Sequence, residues 1–302
     1  MELAVIGLGR MGGNMAERLA AGGHRVIGYA RHAETIEAAE KKGIVGASSL
    51  EDLVSHMAPP RVIWIMIPVG KPIDETLETL VPMLAPDDVI IDGGNSFYKD
   101  TMRRALELRE KKIHYVDCGT SGGIWGLKEG YSLMIGGEED AVRHLRPIFE
   151  TLAPAPDKGW GHVGPSGAGH FVKMIHNGIE YGLMQAYAEG YALMKGKTEF
   201  DLDLHRISEI WRFGSVVRSW LLDLAAEALA EDHGLDAVLP YVSDSGEGRW
   251  TVMEAIEQGQ TAPVITLSLM QRFHSQDSFG FADRVLAVLR KKFGGHEIKK
   301  KE

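Results

Sequence analysis

Cysteine is nearly absent from this sequence, and its scarcity limits the classes of protein that the chain can belong to. The 302 residues include a single cysteine, Cys118, so neither an internal disulfide nor a cysteine-based metal cage can form. A lone thiol is typical of a protein in a reducing compartment, and we expect a cytoplasmic location. The 12 histidines are scattered without a close metal-ligand spacing, so we predict no metal site.

Long hydrophobic runs and an excess of basic residues are also missing. No apolar stretch approaches the roughly 20 residues that a membrane-spanning helix requires, so no membrane partner is expected. The formal net charge is −9, from 33 Lys and Arg against 42 Asp and Glu. Nucleic-acid binding requires an excess of basic residues on one surface, and this sequence has an excess of acidic ones. No nucleic-acid partner is therefore expected.

The first half of the sequence alternates strand-like and helix-like segments, which is typical of a doubly wound parallel sheet. Strands are predicted at residues 3–6, 25–29, 62–66, 89–91, 115–117 and 132–135. Prolines and glycines in residues 153–161 predict a linker, and long helical patterns dominate after Gly167. We therefore predict an α/β Rossmann-type doubly wound domain at residues 1–163. An all-α helical domain for substrate binding and dimerisation is predicted at residues 164–302.

A glycine-rich turn follows the first predicted strand and opens a helix. The segment GLGRMG places Gly7, Gly9 and Gly12 in the pattern G-x-G-x-x-G. Glycines at this spacing allow a tight turn and bring a pyrophosphate close to the helix N-terminus, where N–H groups stabilise its charge. A turn without a ligand is the alternative, but the strand-turn-helix context favours a dinucleotide site. The candidate cofactor-binding residues here are Gly7, Leu8, Gly9, Arg10, Met11 and Gly12.

The end of the second predicted strand is where such a domain distinguishes NAD from NADP. An Asp or Glu there would bind the ribose hydroxyls of NAD, but this sequence has Tyr29, Ala30, Arg31 and His32. Arg31 and His32 could instead receive a 2′-phosphate. The tip therefore favours NADP and leaves NAD open, because a lone Arg can also stack on adenine.

Two further glycine-rich motifs follow predicted strands, DGGNS at residues 92–96 and GTSGG at residues 119–123. Ligands bind beyond the carboxyl ends of the strands in open α/β sheets, so both motifs are binding-site candidates. Asn95 offers an amide to cofactor or substrate. Ser121, with the backbone of Gly122 and Gly123, offers hydrogen-bond donors to a carboxylate. Each motif taken alone could be an ordinary turn.

The segment GHFVKMIHNGIEYG, residues 169–182, has ionisable groups where a buried helix should be apolar. At about 100° per residue, a strip about 140° wide contains Lys173, His176, Asn177, Glu180 and Tyr181. The opposite side is apolar, so we expect the helix to be embedded in protein and the polar strip to line a cleft. A solvated face is the alternative, although such a face favours Lys, Glu, Gln and Arg. Acid, base and hydrogen-bonding groups fixed on one helix suit proton-transfer chemistry.

Taken together, these segments resemble a known family. The decarboxylating 6-phosphogluconate dehydrogenases, in the β-hydroxyacid dehydrogenase superfamily, have motifs similar to GLGRMGGNMA, DGGNS, GTSGG, GPSGAGHFVKMIHNGIEYG and SDSGEGRWT. The long helix motif is specific to these enzymes, whereas the first three are shared across the superfamily. The resemblance covers essentially the whole chain. It implies an oxidoreductase that converts 6-phosphogluconate, a small sugar phosphate, to ribulose 5-phosphate and CO₂ with NAD(P), in the pentose phosphate pathway and gluconate utilisation.

The resemblance also implies a role for each matching residue. Lys173 matches the general base that takes the proton from the C3 hydroxyl, and Glu180 matches the acid that protonates C1 of the enediol. His176 and Asn177 match residues that bind the substrate and orient the C3 oxygen. The substrate-binding candidates are Asn95, Ser121, Gly122, Gly123, Tyr181, Arg249 and Arg272, of which the last three match positions around the phosphate. Arg249 stands where longer members often carry Lys.

The longer members duplicate the helical region and end in a tail that reaches the partner subunit's site. This sequence has neither feature, so it resembles the short form, and we expect a homodimer or a higher homo-oligomer. Two other functions stay open. A dehydrogenase of a smaller β-hydroxyacid such as 3-hydroxyisobutyrate would use Lys173 and Asn177 without phosphate-binding arginines. A non-catalytic NADP-binding sensor would not need Lys173 and Glu180.

Overall fold

The computed structural model describes residues 1–294 and 297–299 and confirms the predicted fold class. The chain divides into two compact units, Met1–Gly178 and Ile179–Glu302. In the first unit helices cover an eight-stranded, mostly parallel sheet, and in the described part of the second unit the regular structure is helical. None of the helices in the described ranges combines the length and the hydropathy that a membrane crossing needs.

The central strands of the sheet are buried on both faces, whereas the strands at its two edges are partly exposed. Its strands are β1 (Glu2–Ile6), β2 (Arg25–Tyr29), β3 (Val45–Ala47), β4 (Val62–Ile65), β5 (Val89–Asp92), β6 (His114–Ser121), β7 (Ser132–Gly136) and β8 (Trp160–Gly164). They lie in the order β3-β2-β1-β4-β5-β6-β7-β8. Neighbouring strands are parallel except β6 and β7. Leu3 and Val5 contribute to one hydrophobic cluster while Ala4 and Ile6 contribute to the other, as the two-residue period of a strand requires.

Helices in the first unit pack their apolar sides on these two faces. They are α1 (Arg10–Ala21), α2 (Ala33–Glu40), α3 (Leu50–Ser55), α4 (Lys71–Leu80), α5 (Tyr98–Arg109), α6 (Gly126–Glu129) and α7 (Glu139–Leu152). Leu19 of α1 and Phe149 of α7 belong to one cluster, whereas Ile73 of α4 belongs to the other. The strand order reverses between β1 and β4, and such a switch point opens a crevice at the carboxyl ends of the strands.

Two local predictions for this unit are wrong, and two short elements were not predicted. Residues 153–161 are not only a linker, because Trp160 begins β8, which pairs with β7. Residues 119–121 do not follow a strand but end β6, since they pair with residues 132–134 of β7. Strand β3 and helix α3 were not predicted, because three and six residues are too few to show a period.

The remaining helices begin with a long one that contains the division between the two units. They are α8 (Ala168–Gly196), α9 (Leu204–Arg212), α10 (Trp220–Glu231), α11 (Glu247–Glu257), α12 (Pro263–Gln276) and α13 (Phe281–Gly294). The expectation that the apolar side of α8 is embedded is wrong from Ile179 onward, since Ile179 is 53% and Leu183 46% exposed. In α13 no residue is buried. Periodicity locates an apolar face but does not show what covers it.

Candidate active site

The turn between β1 and α1 has the shape that its glycines predict. Gly7 has φ +97°, and a Cβ there would lie 2.3 Å from the Met66 carbonyl oxygen. A Cβ at Gly12 would lie 1.9 Å from the Gly7 carbonyl oxygen. Glycine is therefore required at position 7 for the turn to lie against the chain after β4, and at position 12 for the helix to pack directly on the turn.

Gly9 serves a different purpose, because a Cβ there would have no atom within 4 Å. Gly9 is the N-cap of α1, no side chain caps the helix, and the first turn contains no acidic residue. Open space in front of uncapped N–H groups fits the pyrophosphate of a dinucleotide. The side chain of Leu8 is buried against Gly28, so only its backbone could face a ligand, whereas Arg10 is exposed and Met11 half-buried.

The tip of β2 presents Arg31 and His32, both exposed. His32 is the N-cap of α2 without a capping side-chain hydrogen bond. Among the described residues, Arg31 makes no hydrogen bond or ion pair. Its guanidinium is therefore available for a phosphate or an adenine ring.

Two polar turns lie near the carboxyl ends of β5 and β6. Asn95 is exposed in the loop after β5. Ser121 ends β6 and is half-buried. Gly122 and Gly123 follow with φ +134° and +53°, and a Cβ at Gly123 would meet nothing within 4 Å. Backbone N–H groups beside open space can receive a carboxylate.

The start of α8 is fixed to β6 by a buried carboxylate. Asp117 accepts the N–H of Gly167 at 2.7 Å and the N–H of His170 at 2.8 Å. A Cβ at Gly119 would lie 2.4 Å from the Cβ of Lys173, and one at Gly169 would lie 2.4 Å from the Met134 carbonyl oxygen. These glycines let the helix backbone approach the sheet closely enough to set Lys173 against β6.

Lys173, His176 and Asn177 form a compact group on the first part of α8. Lys173 is 6% and Asn177 8% exposed. The Lys173 amine donates to Asn177 Oδ1 at 2.6 Å, and His176 Nδ1 lies 3.4 Å from the amine and 3.1 Å from the same oxygen. A buried amine with a fixed amide and imidazole can take a proton from a hydroxyl and return it to the resulting oxygen.

A second group of candidates lies in the second unit. The guanidinium of Arg272 stacks 3.6 Å from the centre of the Tyr181 ring and donates to the Ser243 carbonyl oxygen at 2.7 Å. Arg249 is hydrogen-bonded to Asp244 and stacks on Phe273 at 4.4 Å. Glu180 is half-buried on α8. Two guanidinium groups held by aromatic rings are suited to a phosphate.

Asp244 was not predicted from the sequence as a site residue. In the structure its side chain is only 2% exposed. It accepts the Tyr181 hydroxyl at 3.3 Å and the Gly246 N–H at 3.1 Å, in addition to Arg249. Burial alone would raise the pKa of Asp244, but the hydrogen bonds from Arg249 and Gly246 outweigh it and hold the pKa below its usual range. Asp117 was also not predicted, because its partners Gly167 and His170 are about 50 residues away in the sequence.

No group of three His, Cys, Asp or Glu side chains in the described ranges could hold a metal ion. The hydrogen-bonding partners of the Lys173 amine include an amide oxygen and an imidazole nitrogen of the same helix. An amine beside such groups is suited to proton transfer.

Comparison with known proteins shows which family the chain is similar to. A family model described as the NAD binding domain of 6-phosphogluconate dehydrogenase matches residues 2–163, and the model of the 6-phosphogluconate dehydrogenase C-terminal domain matches residues 169–297. The chain is 45% identical over 303 residues to an NAD(+)-dependent, decarboxylating 6-phosphogluconate dehydrogenase of Haloferax volcanii, covering 100% of both. It is 38% identical to an NADP(+)-dependent, decarboxylating 6-phosphogluconate dehydrogenase of Bacillus subtilis, over 91% of this chain and 61% of that protein. The 6-phosphogluconate dehydrogenase of Plasmodium falciparum has a similar structure, with a TM-score of 0.85 and 29% identity over 100% of this chain and 67% of that one.

Proposed function

The chain belongs to the 6-phosphogluconate dehydrogenase family, and we propose that it oxidises and decarboxylates 6-phosphogluconate to ribulose 5-phosphate and CO₂ with reduction of NAD(P). The observation that carries this proposal is the buried Lys173 amine, held 2.6 Å from Asn177 Oδ1 beside His176. A sensor without catalysis would have no use for a buried amine. Within the chain, we propose residues 1–163 as the dinucleotide-binding domain and residues 164–302 as the substrate and dimerisation domain, of which residues 295–296 and 300–302 lie outside the described residues.

The residues around Lys173 account for the proton steps. The nicotinamide, when bound, supplies the acceptor for a hydride from C3 of the substrate. Lys173 in its neutral form takes the proton of the C3 hydroxyl, while Asn177 and His176 orient the C3 oxygen. The product of that oxidation is a β-keto acid. Protonated Lys173 then donates to the ketone oxygen and stabilises the enolate charge that develops as CO₂ leaves, so the step requires no metal. Glu180 protonates C1 of the enediol and completes the reaction.

Residues of the first unit also bind the cofactor and the carboxylate end of the substrate in this proposal. Residues 7–12 hold the pyrophosphate at the N-terminus of α1, supported by the open space in front of Gly9. Asn95 contacts both cofactor and substrate. Ser121, Gly122 and Gly123 donate to the substrate carboxylate, supported by the backbone conformation of the two glycines.

Residues of the second unit bind the phosphate of the substrate in this proposal. Tyr181, Arg249 and Arg272 are the candidates, supported by the stacking of Arg272 on Tyr181 and of Arg249 on Phe273. A dehydrogenase of a smaller, unphosphorylated β-hydroxyacid would gain nothing from these two guanidinium groups. The phosphorylated substrate is therefore favoured.

For the cofactor, we propose NADP as the preferred one of the two. The support is the exposed guanidinium of Arg31 and the lack of a carboxylate at residues 29–32. Relatives of both kinds are known, NAD-dependent and NADP-dependent, so the preference depends on this chain's own residues. Because sugar phosphates and nicotinamide cofactors are metabolites of the cell interior, we propose the cytoplasm as the location.

We also propose that the chain forms a homodimer or a higher homo-oligomer through its helices. In α13 the apolar residues Leu286, Leu289 and Phe293 are 60%, 57% and 97% exposed. An amphipathic helix without a single buried residue gains little stability from its own chain. Leu286→Lys with Leu289→Lys should therefore lower the molar mass measured by light scattering. A mass that equals one chain in the unsubstituted protein would contradict the proposal.

One assay tests the function. Reduction of NADP and of NAD is followed with 6-phosphogluconate, gluconate and 3-hydroxyisobutyrate, and released CO₂ is measured in parallel. We expect turnover with 6-phosphogluconate, with one CO₂ for each reduced cofactor. Turnover of 3-hydroxyisobutyrate in preference would reject the proposed substrate, and no turnover of any of the three would reject the proposed reaction.

A further inference from the structure

A buried hydrogen-bond network around Asp92 holds the loop that carries Asn95. None of the proposed catalytic steps uses this network. Asp92, the last residue of β5, is 0% exposed. Its Oδ1 accepts the N–H of Gly94 at 3.1 Å, and its Oδ2 accepts the hydroxyls of Ser96 at 2.7 Å and Tyr115 at 2.9 Å. One carboxylate therefore holds the residues on both sides of Asn95.

Arg104 connects this loop to the one that follows β4. Its side chain is 1% exposed, and its Nη1 lies 3.8 Å from Asp92 Oδ2. Its Nε donates to Asp74 Oδ1 at 2.8 Å and its Nη2 to the Gly70 carbonyl oxygen at 3.4 Å. The guanidinium thus offsets the buried charge of Asp92 and joins two loops at the carboxyl edge of the sheet, beside the switch point.

The Tyr115 hydroxyl and the packing of Gly93 also hold the loop in a single arrangement. Burial and the neighbouring Asp92 carboxylate raise the pKa of Tyr115, so its hydroxyl stays protonated and remains a donor. Below the loop, a Cβ at Gly93 would lie 2.2 Å from Nε1 of the buried Trp64. The backbone of the loop is therefore fixed by packing on one side and by Asp92 on the other.

We propose that Asp92 is a positioning residue, which fixes the loop so that the amide of Asn95 meets cofactor and substrate. The inference rests on the proposed function, because the role of Asn95 is part of it. Asn95 is exposed and follows two glycines, so its position depends on the hydrogen bonds of its neighbours. A displacement of about 1 Å in a group that aligns substrate can lower a rate by about 10²-fold.

Asp88 provides a matched control at the other end of the same strand. It directly precedes β5, is 0% exposed, and accepts the backbone N–H of Arg61 at 2.6 Å and Arg61 Nη1 at 3.0 Å. It is therefore a second buried carboxylate with an arginine partner, but at the amino end of β5, the edge opposite the candidate site. Replacing either carboxylate by Asn should destabilise the fold to a similar extent.

The test compares Asp92→Asn with Asp88→Asn at a temperature well below the unfolding midpoint of both. We expect kcat/KM for 6-phosphogluconate to fall by about 10- to 100-fold in Asp92→Asn and by less than about 3-fold in Asp88→Asn, because only the former displaces Asn95. The KM for the cofactor should rise in Asp92→Asn alone. Equal losses in the two variants would show that Asp92 serves only the fold.

A double-substitution cycle shows whether Asp92 acts through Asn95. Once Asn95→Ala has removed the amide, Asp92→Asn should cost much less activity than it does in the unsubstituted protein. An undiminished cost in that background would overturn the inference. If Asp92→Asn does not fold, Ser96→Ala takes its place in the cycle, since it removes a single donor to Asp92. If the unsubstituted protein does not turn over 6-phosphogluconate, the proposed function itself fails, which is a different outcome from equal losses in an active enzyme.

Discussion

Replacing Lys173 with methionine should remove most of the oxidation while leaving the fold and the cofactor site in place. Methionine has nearly the same length and volume as lysine without the amine. The substitution removes the hydrogen bond to Asn177 Oδ1 at 2.6 Å and the longer contact with His176 Nδ1 at 3.4 Å. A hydrogen bond contributes about 0.5 to 1.5 kcal/mol to the free energy of unfolding. Because Lys173 is 6% exposed, the loss of a polar group from the interior offsets part of that cost. We expect the free energy of unfolding to change by less than about 1.5 kcal/mol.

The expected effect on the rate is much larger. A general base contributes about 10²- to 10⁴-fold, which corresponds to about 2.7 to 5.4 kcal/mol in the activation free energy. The measurement is the initial rate of cofactor reduction at saturating 6-phosphogluconate, together with the dissociation constant of the cofactor from a fluorescence titration. The dissociation constant should change little, because the pyrophosphate site is on α1 and Lys173 is on α8.

Lys195→Met is the matched control, since it makes the same change on the same helix. Lys195 is exposed, and its amine donates to the Gly234 carbonyl oxygen at 3.0 Å, so its loss should leave kcat unchanged. Residual turnover of Lys173→Met within a few-fold of the unsubstituted enzyme would refute the assignment of the base.

Three further predictions concern the cofactor, the phosphate and pH. Exchanging Ala30 and Arg31 for Asp and Val should shift the ratio of kcat/KM toward NAD, because a carboxylate binds the ribose hydroxyls and repels a 2′-phosphate; an unchanged ratio would show that the tip of β2 does not select the cofactor. Arg272→Ala should lower kcat/KM for 6-phosphogluconate by about 10- to 150-fold, equivalent to a charge-assisted hydrogen bond of about 1.5 to 3 kcal/mol. Gluconate should be little affected, and equal losses on both substrates would mean that Arg272 holds the fold. Because the pKa of Asp244 is below its usual range in the folded state, its ionised form stabilises the fold above the unfolded pKa, and this stabilisation is lost as pH falls through the folded pKa. Urea denaturation should therefore show that Asp244→Asn loses less stability than the unsubstituted protein between about pH 5 and pH 3; parallel losses would contradict this.

Several features of the fold follow from the sequence over short stretches of chain. The turn at Gly7 to Gly12 could be predicted because a tight turn, an approaching backbone and a helix start each require glycine within six residues. The contact of Lys173 with Asn177 follows from helical spacing, since residues four apart are neighbours on one face. The lack of a carboxylate at the tip of β2 also needs only the order of residues.

The tertiary structure decided the features that join distant segments. Asp117 reaches the start of α8 across about 50 residues, and Asp244 reaches Tyr181 across 63. Strand β8 is visible only through its pairing with β7, and the end of β6 only through its antiparallel register. The exposure of the apolar side of α8 from Ile179 onward could not be foreseen either, because periodicity identifies an apolar face but not the surface that covers it. A local pattern is repeated over a few residues and can be read along the chain, whereas a buried carboxylate or an edge strand is defined by partners that only folding brings together.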